Sequence, residues 1–145
     1  MLIQPASILD LNALHRLEQA CFPKDKWPLF DLIAVLSFPD VVRLKAVEDG
    51  QMIGFVAGDE RRREDVAWIA TIGVLPAYQR RGFGLALLRA CEAHLKAHRI
   101  RLCVRPSNEA AIQMYLREGY QKIDVWSRYY DDGEGALIME KIRQE

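Results

Sequence analysis

Six residues in the middle of the chain, Gln79-Arg80-Arg81-Gly82-Phe83-Gly84, carry the clearest chemical signal. They follow an apolar run ending at Val74-Leu75-Pro76 and precede a helical pattern beginning near Leu85. A strand, a turn of glycine and arginine, and then a helix form a layout that holds phosphate. The first turn of a helix has N–H groups without intrahelical partners, and the helix dipole adds partial positive charge there. Glycines at 82 and 84 let a pyrophosphate approach the backbone. Arg80 and Arg81 supply full charges. The loop therefore reads as a site for a ligand that carries a diphosphate. Two nucleotide motifs fit poorly. A P-loop needs Lys-Ser/Thr after its second glycine, and Phe83-Gly84-Leu85 does not supply it. A dinucleotide fold places its motif after the first strand, with an acidic residue about twenty positions on. Here the motif is mid-chain and position 102 is Leu102. The bland alternative is a tight turn with two solvated arginines.

Other residues carry weaker signals. Asn108 opens a helical stretch, where an N-cap is the ordinary role. Tyr115 lies on the stripe Ala111, Ile112, Tyr115, Leu116, and periodicity alone makes it a core residue. Gly73 interrupts a bulky apolar run, which suits either a close ligand approach or a strand irregularity. His94 and His98 have the i, i+4 spacing of helical metal ligands. No third ligand accompanies them, so they read as a solvated helix face and no metal is expected. The charged run Glu60-Arg61-Arg62-Arg63-Glu64-Asp65 reads as an exposed hairpin tip.

These residues need elements to hold them. Residues 1–5 read as a first strand. Ile8, Leu11, Leu14, Leu17, Glu18 and Cys21 keep helical spacing, and Phe22-Pro23 ends that helix. A short helix is expected over 29–37, then strands over 41–47 and 52–58 about the turn Glu48-Asp49-Gly50. Residues 66–74 form a nearly continuous apolar run, the pattern of a strand buried on both faces. A helix is expected over 84–98 with Leu88, Cys91 and Leu95 on one face, then a short strand over 100–104. Residues 108–118 form the next helix, with Gly119 as its C-cap. Strands over 120–130 and 136–142 close the chain about the turn Asp131-Asp132-Gly133. The order is that of an α/β (α+β) chain with a mixed central sheet.

Composition narrows the class. The chain has 145 residues, half of them hydrophobic, with 20 Lys+Arg against 20 Asp+Glu. That is one domain, 1–145, with enough apolar content for a core. Zero net charge argues against general nucleic-acid binding. There is no apolar run long enough to span a membrane and no basic-then-apolar leader. Three cysteines, at 21, 91 and 103, form no metal-type pair. A reduced, cytoplasmic protein is the expectation.

The stretch Val74-Leu75-Pro76-Ala77-Tyr78-Gln79-Arg80-Arg81-Gly82-Phe83-Gly84, with Leu87-Leu88, resembles the acetyl-CoA signature of the GNAT N-acetyltransferases. A second signature of that superfamily appears in Val104-Arg105-Pro106-Ser107-Asn108-Glu109-Ala110-Ala111, then Tyr115 and Gly119-Tyr120. Glu18-Gln19-Ala20-Cys21-Phe22-Pro23 with Trp27 is similar to the early segment of bacterial ribosomal-protein-alanine N-acetyltransferases. Arg128-Tyr129-Tyr130, Asp132-Gly133-Glu134-Gly135-Ala136 and Met139 resemble their C-terminal hairpin. The resemblance covers nearly the whole chain. It implies the GNAT fold, a mixed central sheet of about seven strands flanked by about four helices. It also implies transfer of an acetyl group from acetyl-CoA to a primary amine by direct attack, on a monomer or homodimer.

The resemblance assigns roles. The donor would be held by Gln79, Arg80, Arg81, Gly82, Phe83 and Gly84, by the backbone of Ile72, Gly73 and Val74 pairing with its pantetheine arm, and by Asn108. The Val74 N–H would polarise the thioester oxygen. Tyr115 would contact the donor and act as general acid to the departing thiolate. Phe22, Pro23, Tyr129 and Tyr130 would flank the acceptor. The acidic hairpin would favour a cationic acceptor or be a solvated turn. The patch at 60–65 has a second reading, contact with the adenosine 3′-phosphate or with a partner. One departure matters. The family's basic glutamate is replaced here by Cys103, a residue type that is inert when buried. The base is then missing or comes from elsewhere, with Glu109, Asp131 and Asp132 as candidates. An α-amine with a pKa near 8 costs about 1–1.4 kcal/mol to neutralise at pH 7, whereas lysine costs about 4.6 kcal/mol. A protein N-terminal α-amine is therefore the expected acceptor. Alternatives are a small-molecule amine acetyltransferase and a non-catalytic acyl-CoA-binding sensor.

Overall fold

The computed structural model describes residues 2–25 and 27–144; residue 1 of the expected first strand lies outside them. Strand β1 (Leu2–Pro5) leads through a 3-10 turn at Ile8–Asp10 into helix α1 (Leu11–Cys21). Ser7 starts this segment reciprocally. Its Oγ accepts from the Leu9 N–H at 3.2 Å while its own N–H donates to Asp10 Oδ2 at 2.9 Å. Helix α2 (Leu29–Ser37) follows, then β2 (Val41–Glu48), β3 (Gln51–Arg61) and β4 (Val66–Val74). Helix α3 (Phe83–His94) crosses to β5 (Arg99–Val104). Helix α4 (Glu109–Arg117), β6 (Gln121–Trp126) and β7 (Ala136–Ile142) complete the chain.

The seven strands form one sheet in the order β1-β2-β3-β4-β5-β7-β6. Every pairing is antiparallel except β4 with β5, because α3 returns the chain in the same direction. Two cores cover the two faces. One gathers Leu87, Leu88 and Cys91 of α3 with Ile112 and Tyr115 of α4. The other gathers Leu14 and Leu17 of α1 with Leu32, Val35 and Leu36 of α2. Helix α3 sits close to the sheet because β3 offers glycines beneath it. A Cβ at Gly54 would lie 2.8 Å from Leu87 Cδ1, and one at Gly58 2.9 Å from Cys91 Sγ.

The feature that makes a site is a parting of strands. β4 pairs with β5 only at Val66, Ala67 and Trp68. Beyond that point the β3–β4 register shifts, with Ala57 opposite Thr71 and Gly58 opposite Ile69. The extra residue, Ala70, bends β4 as bulges do. The rest of β4 then leaves β5, and a wedge opens between them. This corrects the expectation for 66–74, since Ala70, Thr71, Ile72 and Gly73 are only half-buried.

Two further expectations differ, whereas the exposed hairpin tip at 60–65 lies as expected between β3 and β4. Helix α3 ends at His94, where the Leu95 N–H still bonds the Cys91 carbonyl at 3.1 Å. His98 is therefore off the helix, and its Nδ1 pairs with Asp65 Oδ2 at 2.8 Å instead. The 60–65 segment is the end of β3 and a 3-10 turn at Arg62–Glu64, tied down by Glu60, which accepts from the N–H groups of Lys96 and Ala97 at 2.7 and 3.0 Å. It lies at the Val66 end of β4, roughly 25 Å from the Val74 end at the rise of an extended strand. That distance removes it from the glycine-rich loop. Finally, β6 stops at Trp126, and residues 127–135 form a loop rather than a tight turn.

Candidate functional site

The wedge exposes one edge of β4. The Leu75 N–H donates to the Ile53 carbonyl at 2.8 Å, so residue 75 faces β3. Backbone groups alternate along a strand. Gly73 then also faces β3, while the N–H and C=O groups of Ile72 and Val74 face the open edge. The Val74 carbonyl accepts from the Cys21 thiol at 3.2 Å and from Gln79 Nε2 at 3.0 Å. Both bonds fix the strand end and leave its N–H directed into the wedge. Gly73 is small for a protein reason. A Cβ there would meet the Phe22 ring at 3.1 and 3.2 Å. The glycine thus lets Phe22 press against β4 beside Val74.

The glycine-rich loop sits where β4 runs into α3. Arg80 and Gly82 take left-handed backbone angles, φ 64 and φ 86. For arginine that conformation costs about 1–2 kcal/mol, a strain characteristic of ligand-binding turns. Gly82 is the N-cap of α3 and offers no side-chain cap. The first N–H groups of the helix are therefore left to whatever occupies the loop. Phe83 anchors the helix start, 8 % exposed and edge-on to Tyr78 at 6.1 Å. Arg81 lies over the Tyr78 ring at 5.4 Å. The Gln79 side chain is turned inward to Val74. Gly84 needs no special angle, and a Cβ there would meet only Val74 Cγ2 at 3.9 Å and Met114 Sδ at 4.0 Å. The protein itself does not require glycine at 84, and the space beside it is open.

Asn108 caps α4, its Oδ1 accepting from the Ala111 N–H at 3.3 Å. Tyr115 is about two turns further on. It is 5 % exposed and edge-on to Tyr120 at 5.7 Å. Its hydroxyl makes no hydrogen bond among the described residues. Burial, and then the neighbouring Tyr130, push its pKa up to about 12, so the phenol carries its proton throughout the neutral range. Tyr120 is held from behind, donating to buried Glu92 at 2.6 Å, and Glu92 also accepts from Lys141 Nζ at 3.0 Å.

The other wall of the wedge is made by side chains. Cys103, on β5, is half-buried beside Tyr129 and Tyr130, and burial raises its pKa. The thiol stays neutral at pH 7 and does not serve as a base. Arg105 follows two residues on. Its Nε and Nη2 bond Asp25 at 2.8 and 2.6 Å, and its Nη1 bonds Asp132 at 2.9 Å and Glu134 at 2.8 Å. Its guanidinium lies 4.2 Å over the Tyr130 ring. Glu134 also accepts from the Ser107 N–H at 2.9 Å. The Glu134 N–H, and then Arg105, hold the Asp132 carboxyl below the usual range, and Arg105, then Ser107, do the same for Glu134. Two carboxylates of the acidic hairpin are thus bonded to Arg105, while Asp131, Asp132 and Gly133 stay exposed. Asp131 is exposed, and Glu109 is exposed and bonded to Gln113 at 2.9 Å.

The structure therefore brings Ile72, Val74, Phe22, the 79–84 loop, Asn108, Tyr115, Tyr129 and Tyr130 around one wedge. Sequence reading missed the clasp at Arg105 and the burial of Glu18. Glu18 is 1 % exposed, both carboxylate oxygens lack partners among the described residues, and burial pushes its pKa up to about 7. A signal existed, since Leu14, Leu17, Glu18 and Cys21 share the inward stripe of α1. Among the described residues no group of His, Cys, Asp and Glu side chains could hold a metal ion, and no helix is long and apolar enough to cross a membrane.

Comparison with known proteins agrees with this geometry. Residues 11–120 match the sequence profile described as "Acetyltransferase (GNAT) family". The chain is 38% identical to an N-alpha-acetyltransferase of Saccharolobus solfataricus, covering 94% of this chain and 90% of that protein. It is 34% identical to the N-alpha-acetyltransferase RimI of Mycobacterium tuberculosis, covering 81% and 76%. A ribosomal-protein-alanine N-acetyltransferase structure from Escherichia coli superposes with a TM-score of 0.90 at 28% identity, covering 99% of this chain and 95% of that one.

Proposed function

The chain belongs to the GNAT acetyltransferase family as an acetyl-CoA-dependent N-acetyltransferase, and on that premise we propose that its acceptor is the α-amine of a protein or peptide N-terminus. The observation that carries this reading is the commitment of Asp25, Asp132 and Glu134 to Arg105. The carboxylates at the acceptor wall are not free to hold a polycation or to strip a proton from lysine. An α-amine needs little help, because its neutral form costs only about 1–1.4 kcal/mol at pH 7 against about 4.6 for lysine. Relatives named as N-alpha-acetyltransferases support the same acceptor.

In this reading the diphosphate of the donor rests on the first turn of α3, between Arg80, Arg81, Gly82, Phe83 and Gly84. Gln79 acts indirectly by bracing Val74. The pantetheine arm lies along the open edge of β4, bonded through Ile72 and Val74 as an added strand, and the Gly73 backbone completes that strand on its β3 side. Asn108 borders the same arm. The Val74 N–H polarises the thioester oxygen. The neutral amine, held between Phe22-Pro23 and Tyr129-Tyr130, attacks the carbonyl carbon. A C–N bond forms, the C–S bond breaks, and the thiolate takes the Tyr115 proton. The proton shed by the new amide returns to the Tyr115 oxygen.

The test is a matched pair of peptides, one with a free N-terminus and no lysine, the other acetylated at its N-terminus with one internal lysine. Release of free thiol from acetyl-CoA should give a kcat/KM at least about a hundredfold higher for the free N-terminus, the ratio set by the neutralisation costs. Faster turnover of the lysine peptide sinks the reading.

A further inference from the structure

We propose that Arg105 is the positioning residue of the acceptor site. It clasps the segment after α1 to the loop between β6 and β7 and so fixes the gap between Phe22-Pro23 and Tyr129-Tyr130. This rests on the reading above that those four residues flank the acceptor. Each end of the clasp is wired to its wall by the backbone. On one side the Asp25 N–H donates to the Phe22 carbonyl at 3.1 Å, closing a turn over Pro23. Whatever holds the Asp25 carboxylate therefore holds Phe22. On the other side the Tyr130 N–H donates to the Glu134 carbonyl at 3.0 Å and the Gly133 N–H to the Tyr130 carbonyl at 2.9 Å. Whatever holds Glu134 and Asp132 therefore holds Tyr130, whose ring also lies under the guanidinium. Asp25 and Arg105 are 80 residues apart in sequence, so the bond closes a long loop that no local structure would fix.

The two ends are not equal. Glu134 has anchors besides Arg105, since it also accepts from the Ser107 N–H and Oγ at 2.9 and 3.1 Å. Asp132 also accepts from the Glu134 N–H at 3.1 Å. The Asp25 carboxylate is held by Arg105 alone among the described residues, through two bonds at right spacing for a fork. The α1 side is thus the side that opens when the clasp is weakened. Lysine cannot replace arginine here, because one ammonium lacks the planar fork and the stacking face. Arg105 also stands three residues before Asn108, so the clasp is built on the segment that leads into the Tyr115 helix.

Steady-state kinetics with the free-N-terminus peptide, together with calorimetric binding of acetyl-CoA, test the assignment. Asp25→Asn and Arg105→Lys should each raise the peptide KM at least about tenfold, the worth of a lost charge-assisted fork. Acetyl-CoA affinity should stay within about twofold and kcat within about threefold. Asp25→Asn keeps shape and volume and decides the matter if Arg105→Lys fails to fold. An unchanged peptide KM in Asp25→Asn overturns the assignment, as does a loss of donor affinity equal to the loss in peptide KM. If the wild-type enzyme turns over no peptide α-amine, the acceptor reading fails first, and the lysine peptide shows it.

Discussion

Glu18 gives the sharpest test of the packing. Its carboxyl is buried with neither oxygen bonded among the described residues, and its pKa rises from 4.5 to about 7 through desolvation. Cys21, one turn on, is the titratable group coupled to it, and its own thiol is pushed up to about 11. Elsewhere around α1, Asp10 is paired with Lys45 at 2.7 Å and Asp31 of α2 is exposed. The rise from 4.5 to about 7 corresponds to roughly 3.5 kcal/mol over the whole titration, of which roughly 3 kcal/mol falls between pH 4.5 and 8.5. The sign follows from the direction. A pKa raised by folding means that the folded state prefers the protonated acid. The stability tied to this group is fully present below pH 4.5 and is lost as the pH climbs through 7.

Glu18→Gln removes the titration and keeps the volume. The buried amide carries a constant cost of its own, so the slope with pH, not the offset, is the measurement. Urea unfolding of both proteins across pH 4.5 to 8.5 should show the variant gaining on the wild type by roughly 3 kcal/mol, about a hundredfold in the folding constant. Asp65, Glu118, Asp132 and Glu134, whose pKa values are lowered, titrate equally in both proteins and cancel in the difference. Two curves that stay parallel within about 0.5 kcal/mol refute the reasoning, because they mean that Glu18 is solvated in the folded state.

Tyr115→Phe should lower kcat by about 10²–10⁴-fold, the range for a lost acid catalyst, while acetyl-CoA affinity stays within about twofold; equal turnover by the variant would dismiss Tyr115 as the acid. Because the phenol titrates near 12, no alkaline limb from this group should appear in the wild-type pH–rate profile below about pH 11. Gly84→Ala should leave the thermal midpoint unchanged or slightly raised, since the new Cβ meets nothing closer than 3.9 Å and alanine favours the helix. Calorimetry should show acetyl-CoA binding at least about tenfold weaker in that variant, and an unchanged affinity would remove Gly84 from the donor site.

The donor half of this site was legible in the sequence because it is made of backbone. Gly82 is needed for a left-handed angle and Gly84 for space, and both needs are written in residue type. Val74 follows because it ends an apolar run before Pro76. The acceptor half is made of contacts between distant segments. Asp25, Arg105, Asp132 and Glu134 are ordinary surface types in a one-dimensional reading, and only the fold shows that they meet. Boundaries failed for local reasons. Periodicity extended α3 to residue 98 because Leu95 and Ala97 are buried, yet they are buried in the connection to β5. Strand-like residue types carry the β6 expectation through Tyr129 and Tyr130, yet the Tyr130 N–H bonds the Glu134 carbonyl inside the 127–135 loop.

Under the acceptor reading proposed above, the clasp bears on an electrostatic conflict in the reaction. A terminal ammonium is attracted to carboxylates, but it must be neutral when it attacks. A free carboxylate within about 4–6 Å of the amine would favour the charged form and raise its pKa by about 1–3 units. Each unit would add about 1.4 kcal/mol to the cost of the reactive form and erase the advantage that an α-amine has over lysine. Around Arg105 three carboxylates face one guanidinium, with Lys24 Nζ at 4.0 Å from Asp132. Their oxygens accept from Arg105. Cys103, neutral and half-buried, takes nothing from that balance. A site without a strong base is thus suited to an amine of low pKa only while Arg105 keeps those carboxylates occupied.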